Sequence, residues 1–258
     1  MRFTYLLLIL STGLMARTPV LLKAARVGHV LVLNDVFLNR MGPFRMAIDT
    51  GNSSSLIRPE VAQRLVARAS YAVDQVTAAG VRRVPVAVLD QVTTGGLTEL
   101  AVEAMVADVR LDGVDGVLGQ SWLLRHDYLL DYQNHRVVID GIPPERGLNL
   151  ALHSADGRPS LSARVAGEPA ELVLDSGAPA VVLFQCSGRA MQQATLATNS
   201  GSIGAAETST RIALPGDRER HMRAVCVNSL QRGPSLLPAS VFASVFVSNR
   251  EGLVRVTR

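Results

Sequence analysis

Short apolar runs separated by turn residues recur along the chain, from HVLVL at residues 29–33 to GLVRV at residues 252–256. The runs are rich in valine and are bounded by Gly, Asp, Asn or Pro, which is typical of β-strands and their turns. Helical patterns are confined to PEVAQRLVARA at residues 59–69 and a short segment after Gly119. Asp-Gly pairs, which favour tight turns, occur at residues 112–113, 115–116, 140–141 and 156–157. We therefore predict an all-β protein with few short helices.

The order of these runs repeats between the two halves of the chain. Residues 42–57 read GPFRMAIDTGNSSSLI and residues 167–184 read GEPAELVLDSGAPAVVLF, so each half has a strand, an Asp-Thr-Gly or Asp-Ser-Gly motif, and a second strand. Farther along, residues 115–140 and residues 234–257 share an apolar segment, a helical turn and two strands joined by a polar turn. A repeat of this kind predicts two similar lobes.

The repeated acids are the candidate chemistry of the chain. We assign residues 25–143 to an N-terminal lobe and residues 144–258 to a C-terminal lobe, related by a pseudo-twofold axis in a two-lobed β-barrel fold. Such an axis would bring Asp49 and Asp175 together on the floor of a cleft. Two carboxyls a few Å apart cannot both ionise easily, so they would share one proton. The ionised acid could then serve as general base toward a water molecule.

The neighbours of each acid have residue types that suit this arrangement. Gly51 and Gly177 lack a Cβ and let the two loops approach closely. Thr50 and Ser176 carry hydroxyl groups that can hydrogen-bond across the lobe interface and keep the loops in register. The chemistry requires no metal and no cofactor, and the five histidines are too scattered for a metal site.

These motifs resemble the aspartic peptidases of the pepsin and retropepsin type, in their single-chain, two-lobed form. The resemblance rests on Ile-Asp-Thr-Gly at residues 48–51, Leu-Asp-Ser-Gly-Ala at residues 174–178, Val-Leu-Gly at residues 117–119 and the strand pair at residues 129–140. It implies an acid-protease-like fold and an aspartic endopeptidase that hydrolyses peptides or unfolded proteins. Because both lobes lie in one chain, a monomer is expected.

The family covers its cleft with a β-hairpin flap, and the resemblance assigns this role to residues 76–84, with Gly80 near the tip. Gly204 is the matching position in the second lobe. Arg82 and Arg83 on the first hairpin would favour acidic substrates if they faced the cleft, but charged hairpin residues are expected to be solvated. No tyrosine of the pepsin kind lies in the hairpin, since Tyr71 is too early, and this favours the retropepsin type.

Two residues depart from the family pattern. Asn52 stands where the family more often has a small residue, and Pro238 stands where the first half has Gly119. These departures support a second hypothesis, a peptide-binding module with the same fold and weak or no activity. A third hypothesis is a two-carboxylate glycoside hydrolase, which does not explain why both acids share one strand setting.

Charge and the N-terminus bear on partners and location. The formal net charge of +4 is spread along the chain without a basic cluster, so nucleic-acid binding is not predicted. Lys23 is the only lysine, and this arginine usage is typical of a GC-rich bacterial genome. Residues 1–24 contain an early arginine and a short apolar stretch that suit a secretory leader. We therefore expect an exported protein, periplasmic or secreted; an uncleaved membrane anchor and a plain first strand are the alternatives.

The chain has two cysteines, Cys186 and Cys226. In an exported protein they could form a disulfide, and two small buried thiols are the alternative. Trp122 is expected in the core. His126 and His135 are expected on loop or strand surfaces, and Asp127, Asp131 and Asp140 are expected at turn and edge-strand positions. None of them is expected to be catalytic.

Overall fold

A computed structural model describes residues 18–77, 80–184, 192–198, 201–227 and 233–258. In these residues the first half of the chain forms β1 (Val20–Val27), β2 (Val30–Leu38), β3 (Met41–Ile48), β4 (Ser55–Ile57), α1 (Pro59–Arg64), β5 (Ala69–Thr77), β6 (Gly80–Thr94), β7 (Leu97–Val106), β8 (Gly116–Leu118), α2 (Gln120–Leu123), β9 (Tyr128–Asp131) and β10 (Arg136–Ile139). The second half forms β11 (Leu148–Ala151), β12 (His153–Ala155), β13 (Arg158–Val165), β14 (Glu168–Asp175), β15 (Val181–Leu183), β16 (Gln192–Thr198), β17 (Gly201–Ala213), β18 (Arg220–Cys226), β19 (Ser235–Pro238), the 3-10 helix η1 (Ala239–Val241), β20 (Ser244–Ser248) and β21 (Leu253–Thr257).

One antiparallel sheet joins the two halves of the chain. Its strand order is β11-β21-β20-β9-β10-β1, so the first three strands come from the second half and the last three from the first half. The two halves meet where β9 pairs with β20, with Leu130 opposite Val245. The predicted lobe boundary at residues 143–144 lies between β10 and β11, and it stays a prediction.

The first strand overlaps the residues proposed for the leader. β1 starts at Val20 and pairs with β10 through Lys23 and then with β2 from Ala24 onward. The leader of residues 1–24 would therefore include the first residues of this strand, and it stays a prediction. Residues 1–17, which hold most of the predicted leader, lie outside the described residues.

Each half arranges its strands around the acid-bearing strand in the same way. In the first half β3 pairs in parallel with β8, β8 pairs with β4 in antiparallel fashion, and β4 pairs in parallel with β7. In the second half the corresponding pairs are β14 with β19, β19 with β15, and β15 with β18, in the same orientations. The all-β class and the internal repeat predicted from the sequence are therefore confirmed, and both are consistent with an acid-protease-like fold.

The main apolar core spans both halves and packs the acid-bearing strands from behind. It contains Ile48 and Leu174, the residues that precede the two acids. Trp122 is fully buried in this core, as expected from the sequence. A second apolar cluster in the first half contains Val30, Val32 and Ala47 and is closed by side chains of β6.

The expectation that His126 lies on a loop or strand surface was wrong. His126 is buried, and its ring nitrogens lie 3.1 Å from Asp140 and 3.3 Å from Glu99. Asp127, Asp131 and Asp140 are also buried. Burial is tolerated because these groups are paired with opposite charges or hydrogen-bond donors, and such partners, distant in sequence, are not visible in the pattern. His135 is exposed in a turn, as expected.

Within the part of the chain that the structure describes, no helix has the length and apolarity needed to span a membrane.

Candidate active site

The two predicted acids lie at the ends of equivalent strands. Asp49 follows β3 directly, and its backbone N–H donates to the Leu118 carbonyl at 3.1 Å. Asp175 ends β14 and lies opposite Pro238 of β19. Since both strands are interior strands of their sheets, each acid is held on a rigid support, which accurate placement of a reacting group requires.

Hydrogen bonds between Thr50 and Ser176 hold the two loops against each other. The Thr50 N–H donates to Ser176 Oγ at 2.9 Å, and the Ser176 N–H donates to Thr50 Oγ1 at 3.0 Å. Each hydroxyl in turn donates to the carbonyl before the opposite acid, Thr50 to Leu174 at 2.6 Å and Ser176 to Ile48 at 2.8 Å. The contacts obey the pseudo-twofold relation, and both side chains are buried.

The two loop glycines face the opposite acid at very short range. A Cβ added at Gly51 would lie 2.3 Å from Cγ of Asp175, and one added at Gly177 would lie 2.8 Å from Oδ2 of Asp49. No larger residue fits at either position without moving a carboxyl group. Each glycine also donates its N–H to the acid of its own loop, Gly51 to Asp49 at 2.9 Å and Gly177 to Asp175 at 2.7 Å.

The environment raises the pKa of both acids. Burial raises the pKa of Asp49 well above its ordinary value, and the neighbouring Asp175 charge and the hydrogen bond to Asp175 raise it further. Burial also raises the pKa of Asp175, but hydrogen bonds from Gly177, Asp49 and Ala178 oppose this rise. The close pairing therefore favours a single proton shared by the two carboxyls.

Three further groups surround the dyad and were not singled out in the sequence. His29, at the β1–β2 turn, has Nε2 2.8 Å from the Gly177 carbonyl oxygen and so links the first half to the second acid loop. The positive charge of Arg158 lowers the pKa of Asp175. Burial raises the pKa of the Tyr132 hydroxyl, and the dyad charges raise it further. The sequence pattern at His29 is a histidine next to a glycine at the start of a strand. This pattern ordinarily indicates a turn residue, so it did not mark His29 as part of the site.

The two departures from the family pattern fit the local structure. The Asn52 side chain hydrogen-bonds to the Asp49 carboxyl and partly offsets its raised pKa. Pro238 occupies in β19 the place that Gly119 has after β8, and it continues the parallel pairing of β14 without distortion of the register. Neither residue blocks the approach of the two acids.

The hairpin glycines differ in their placement. Gly80 opens β6 opposite Thr77, next to the hairpin tip, and has a φ of +130°. Gly204 lies inside β17 opposite Thr195, so it is not at a tip; Gly201, which pairs with Thr198, is the equivalent of Gly80. The sequence did not distinguish these two positions, because an uninterrupted small-residue strand gives no sign of where the hairpin turns, and a flap role for Gly204 stays a prediction.

The remaining predicted site residues concern a disulfide and metals. Cys226 is disulfide-bonded in the structure, whereas Cys186 lies outside the described residues, so the predicted pairing stays a prediction. Among the residues that the structure describes, no three His, Cys, Asp or Glu side chains are grouped in a way that could hold a metal ion.

Comparisons with known proteins agree with the geometry of the first half. Residues 33–122, which include Asp49, match the family model described as Aspartyl protease. A crystal structure of a retropepsin-like aspartic protease from Rickettsia conorii is similar at 22% sequence identity and a TM-score of 0.38, and the alignment covers 47% of this chain and 89% of that chain. No curated protein matches the chain. The family match supports a protease-type function, and over the matched residues it confirms the resemblance to aspartic peptidases that the motifs predicted.

Proposed function

We propose that the protein is an aspartic endopeptidase in which Asp49 and Asp175 form the catalytic dyad. One observation carries the proposal: the Thr50–Ser176 contacts hold the two carboxyls in hydrogen-bond contact in a site that raises the pKa of both. Two acids sharing a proton supply a general base and a general acid at the same place, which hydrolysis of an unactivated amide requires.

In the first step a water molecule between the carboxyls attacks the carbonyl carbon of the scissile peptide. Asp175 takes a proton from the water, and Asp49 donates its proton to the carbonyl oxygen, so the C=O double bond becomes a C–O single bond of a tetrahedral diol. In the second step Asp175 gives its proton to the amide nitrogen, and Asp49 recovers a proton from the diol. The C–N bond then breaks and releases a carboxylic acid and an amine.

The surroundings of the dyad assign these roles. Asp175 receives N–H donors from Gly177 and Ala178, and it feels the positive charge of Arg158, so its negative form is the better stabilised of the two. Asp49 lies in the more unfavourable environment for a charge and therefore retains the proton. The assignment is for the free enzyme, and the proton moves between the two acids during the cycle.

The contact between the acids also bears on the other hypotheses. Glycoside hydrolases need about 5 Å or more between their two carboxyls to leave room for a sugar or a water, whereas these two share a hydrogen bond. The departures at Asn52 and Pro238, which motivated an inactive binding module, leave the dyad intact. We therefore favour hydrolysis of extended peptides by an exported monomer over both alternatives.

A direct assay tests the proposal. The purified protein is expected to cleave an unstructured protein at mildly acidic pH, and a statine-type inhibitor should block cleavage. Asp49→Asn should abolish cleavage while the circular dichroism spectrum and the inhibitor-free melting curve still show a folded chain. Cleavage that persists in Asp49→Asn, or that ignores the inhibitor, would contradict the proposal.

A further inference from the structure

The β5–β6 hairpin has two chemically distinct faces. On the outer face Arg83 and Asp74 form an ion pair at 3.5 Å, and their side chains are 70% and 62% exposed. On the inner face Gln75 is buried, and Arg82, directly opposite it, is half-buried. Two adjacent arginines on one strand therefore have different surroundings, and the expectation of solvated arginines holds for Arg83 but not for Arg82.

The inner face of the hairpin packs on the second apolar cluster, which contains residues close in sequence to the site. Val84 is the next inner-face residue after Arg82 on β6, and it packs in the cluster that contains Val30 and Ala47. Ala47 precedes Asp49 by two residues, and Val30 follows His29, whose ring contacts the second acid loop. The Gln75–Arg82 pair thus lies on the same side of the hairpin as this cluster, one step nearer the tip.

The guanidinium group of Arg82 is held in place by a hydrogen bond, but one of its N–H groups has no acceptor among the described residues. Its Nε donates to Gln75 Oε1 at 3.0 Å, which fixes the plane of the group. Its Nη2 is buried, and none of the described residues accepts a hydrogen bond from it. A buried donor without an acceptor costs free energy that a bound anionic acceptor would recover. Arginine presents its N–H groups in a planar fork that matches a carboxylate.

We infer that Arg82 is a specificity-determining residue that binds a carboxylate of the peptide substrate beneath the hairpin. The inference rests on the proposed peptidase function and adds a substrate class, peptides with an acidic group near the cleaved bond. Gln75 positions the guanidinium.

The test compares matched peptides and matched variants. Two amidated peptide series differ only in Glu against Gln at each position within four residues of the cleaved bond. The wild-type enzyme should cleave one Glu peptide with kcat/KM about tenfold above its Gln partner, since hydrogen bonds to charged groups are worth about a factor of ten or more. Arg82→Gln should reduce this ratio to about one, because kcat/KM falls more for the Glu peptide than for the Gln peptide.

Arg83→Gln is the matched control, because it removes the same charge from the same strand on the outer face. It should leave the Glu/Gln ratio at the wild-type value. A third arm uses the neutral peptides with a free C-terminal carboxylate two or three residues after the cleaved bond. If this carboxylate raises kcat/KM and Arg82→Gln removes the increase, the terminal carboxylate is the group bound.

The outcomes separate this inference from the proposed function. A wild-type enzyme that cleaves peptides without any preference for a carboxylate overturns the role of Arg82 and leaves the peptidase proposal standing. An equal loss of the ratio in Arg83→Gln also overturns it, since the effect would then be long-range charge. If Arg82→Gln does not fold, the Glu/Gln ratios of kcat/KM for Arg82→Lys and for the wild type decide. A protein that cleaves none of the peptides contradicts the peptidase proposal itself.

Discussion

The two halves of the molecule support the same acid loop with different chemistry. In the first half, hydroxyl and amide groups lie behind the loop. Ser55 Oγ accepts the Gly119 N–H at 3.2 Å, and Ser121 Oγ contacts both the N–H and the hydroxyl of Ser55 at 2.9 Å. Gln120 donates to the Thr50 carbonyl at 2.8 Å from the same segment. This half holds its loop with a buried polar network.

In the second half the positions that correspond to Ser55, Gly119 and Gln120 are apolar or lack an N–H donor. The registers place Val181 where the first half has Ser55, Pro238 where it has Gly119, and Ala239 where it has Gln120. Pro238 has no N–H, and Val181 has no hydroxyl, so both partners of the first-half bond are absent together. Replacing both partners of a buried hydrogen bond with apolar groups can be nearly neutral, whereas loss of one partner is costly. The geometry of the acid loop is therefore the same in both halves, although these three supporting residues differ.

The comparison shows that the two halves place their acids in the same way but surround them with different hydrogen-bond donors and charges. Asp49 receives the Gly51 N–H and the Asn52 side chain, and Asp175 receives two backbone N–H groups and the field of Arg158. The two acids thus lie on a symmetric scaffold but receive different hydrogen-bond donors and charges. The predictions below break or sharpen this asymmetry.

The largest expected effect comes from removing either acid. Asp49→Asn and Asp175→Asn should each lower kcat by at least about 10³-fold, because the reaction needs both the acid and the base. The losses should be similar despite the different surroundings of the acids. Steady-state kinetics with a fluorogenic peptide measures both, and Asp74→Asn on the exposed hairpin face serves as the control. A loss confined to one variant would show that the two carboxyls do not act as a unit.

The pH dependence of stability should expose the raised pKa of the dyad. A carboxyl whose pKa is higher in the folded than in the unfolded chain adds stability below its unfolded value, here near 3.8, and loses it as pH rises through the folded value. Asp49→Asn removes this loss, so the variant should be more stable than the wild type at pH 7, with a difference that shrinks toward pH 4. Thermal melts from pH 4 to pH 7 measure the effect, and a difference that grows toward low pH would contradict the raised pKa.

Alanine at the two loop glycines should reduce activity unequally. A methyl group at Gly51 would meet Cγ of Asp175 at 2.3 Å, closer than the 2.8 Å contact at Gly177 with Asp49. Gly51→Ala should lower kcat/KM by on the order of 10²-fold, because small displacements of a reacting group have effects of this size, and Gly177→Ala should lower it less. Gly204→Ala, where a Cβ meets open space, is the control. Equal effects at the three glycines would contradict the close approach.

The acids and their brace could be anticipated from the sequence because the motif occurs twice. A single Asp-Thr-Gly would equally suit a turn, but its recurrence at the same place in two similar halves predicts that Asp49 and Asp175 meet. Thr50 and Ser176 follow from the same argument, since the twofold relation puts each hydroxyl across from the other loop. The catalytic role of these residues stays a prediction until activity is measured.

Other parts of the site depend on information that the pattern does not carry. His29 contacts a carbonyl 148 residues away, and no local periodicity reports such a contact. The difference between Arg82 and Arg83 depends on the hairpin register, which a shift by one residue would reverse. The same uncertainty about the turn left Gly204 and Gly201 undistinguished in the sequence. These features depend on contacts and strand registers between residues that are far apart in sequence. A local sequence pattern therefore does not predict them.

A smaller effect is expected from the brace between the loops. Thr50→Val keeps the shape of the side chain but removes an acceptor for the Ser176 N–H and a donor to the Leu174 carbonyl. The free energy of unfolding should fall by about 1–3 kcal/mol, the range for a buried group left without its partner. Ser176→Ala should have a similar effect because its contacts are equivalent. Thr50→Ser keeps the hydroxyl and should restore most of the stability in chemical denaturation.

The smallest expected effect tests the difference between the two supports directly. Ser55 and Ser121 are in mutual contact, so a double-mutant cycle of their alanine variants should give a coupling free energy of about 0.5–1.5 kcal/mol. The equivalent pair in the second half is Val181 and Ser240, and its coupling should be close to zero because Val181 has no hydroxyl. Urea unfolding of the seven proteins in the two cycles, which share the wild type, measures both values. Equal coupling free energies would mean that both halves support their acid loops in the same way. The difference between the two acids would then have to come only from Asn52, Ala178 and Arg158, which act on the carboxyls themselves.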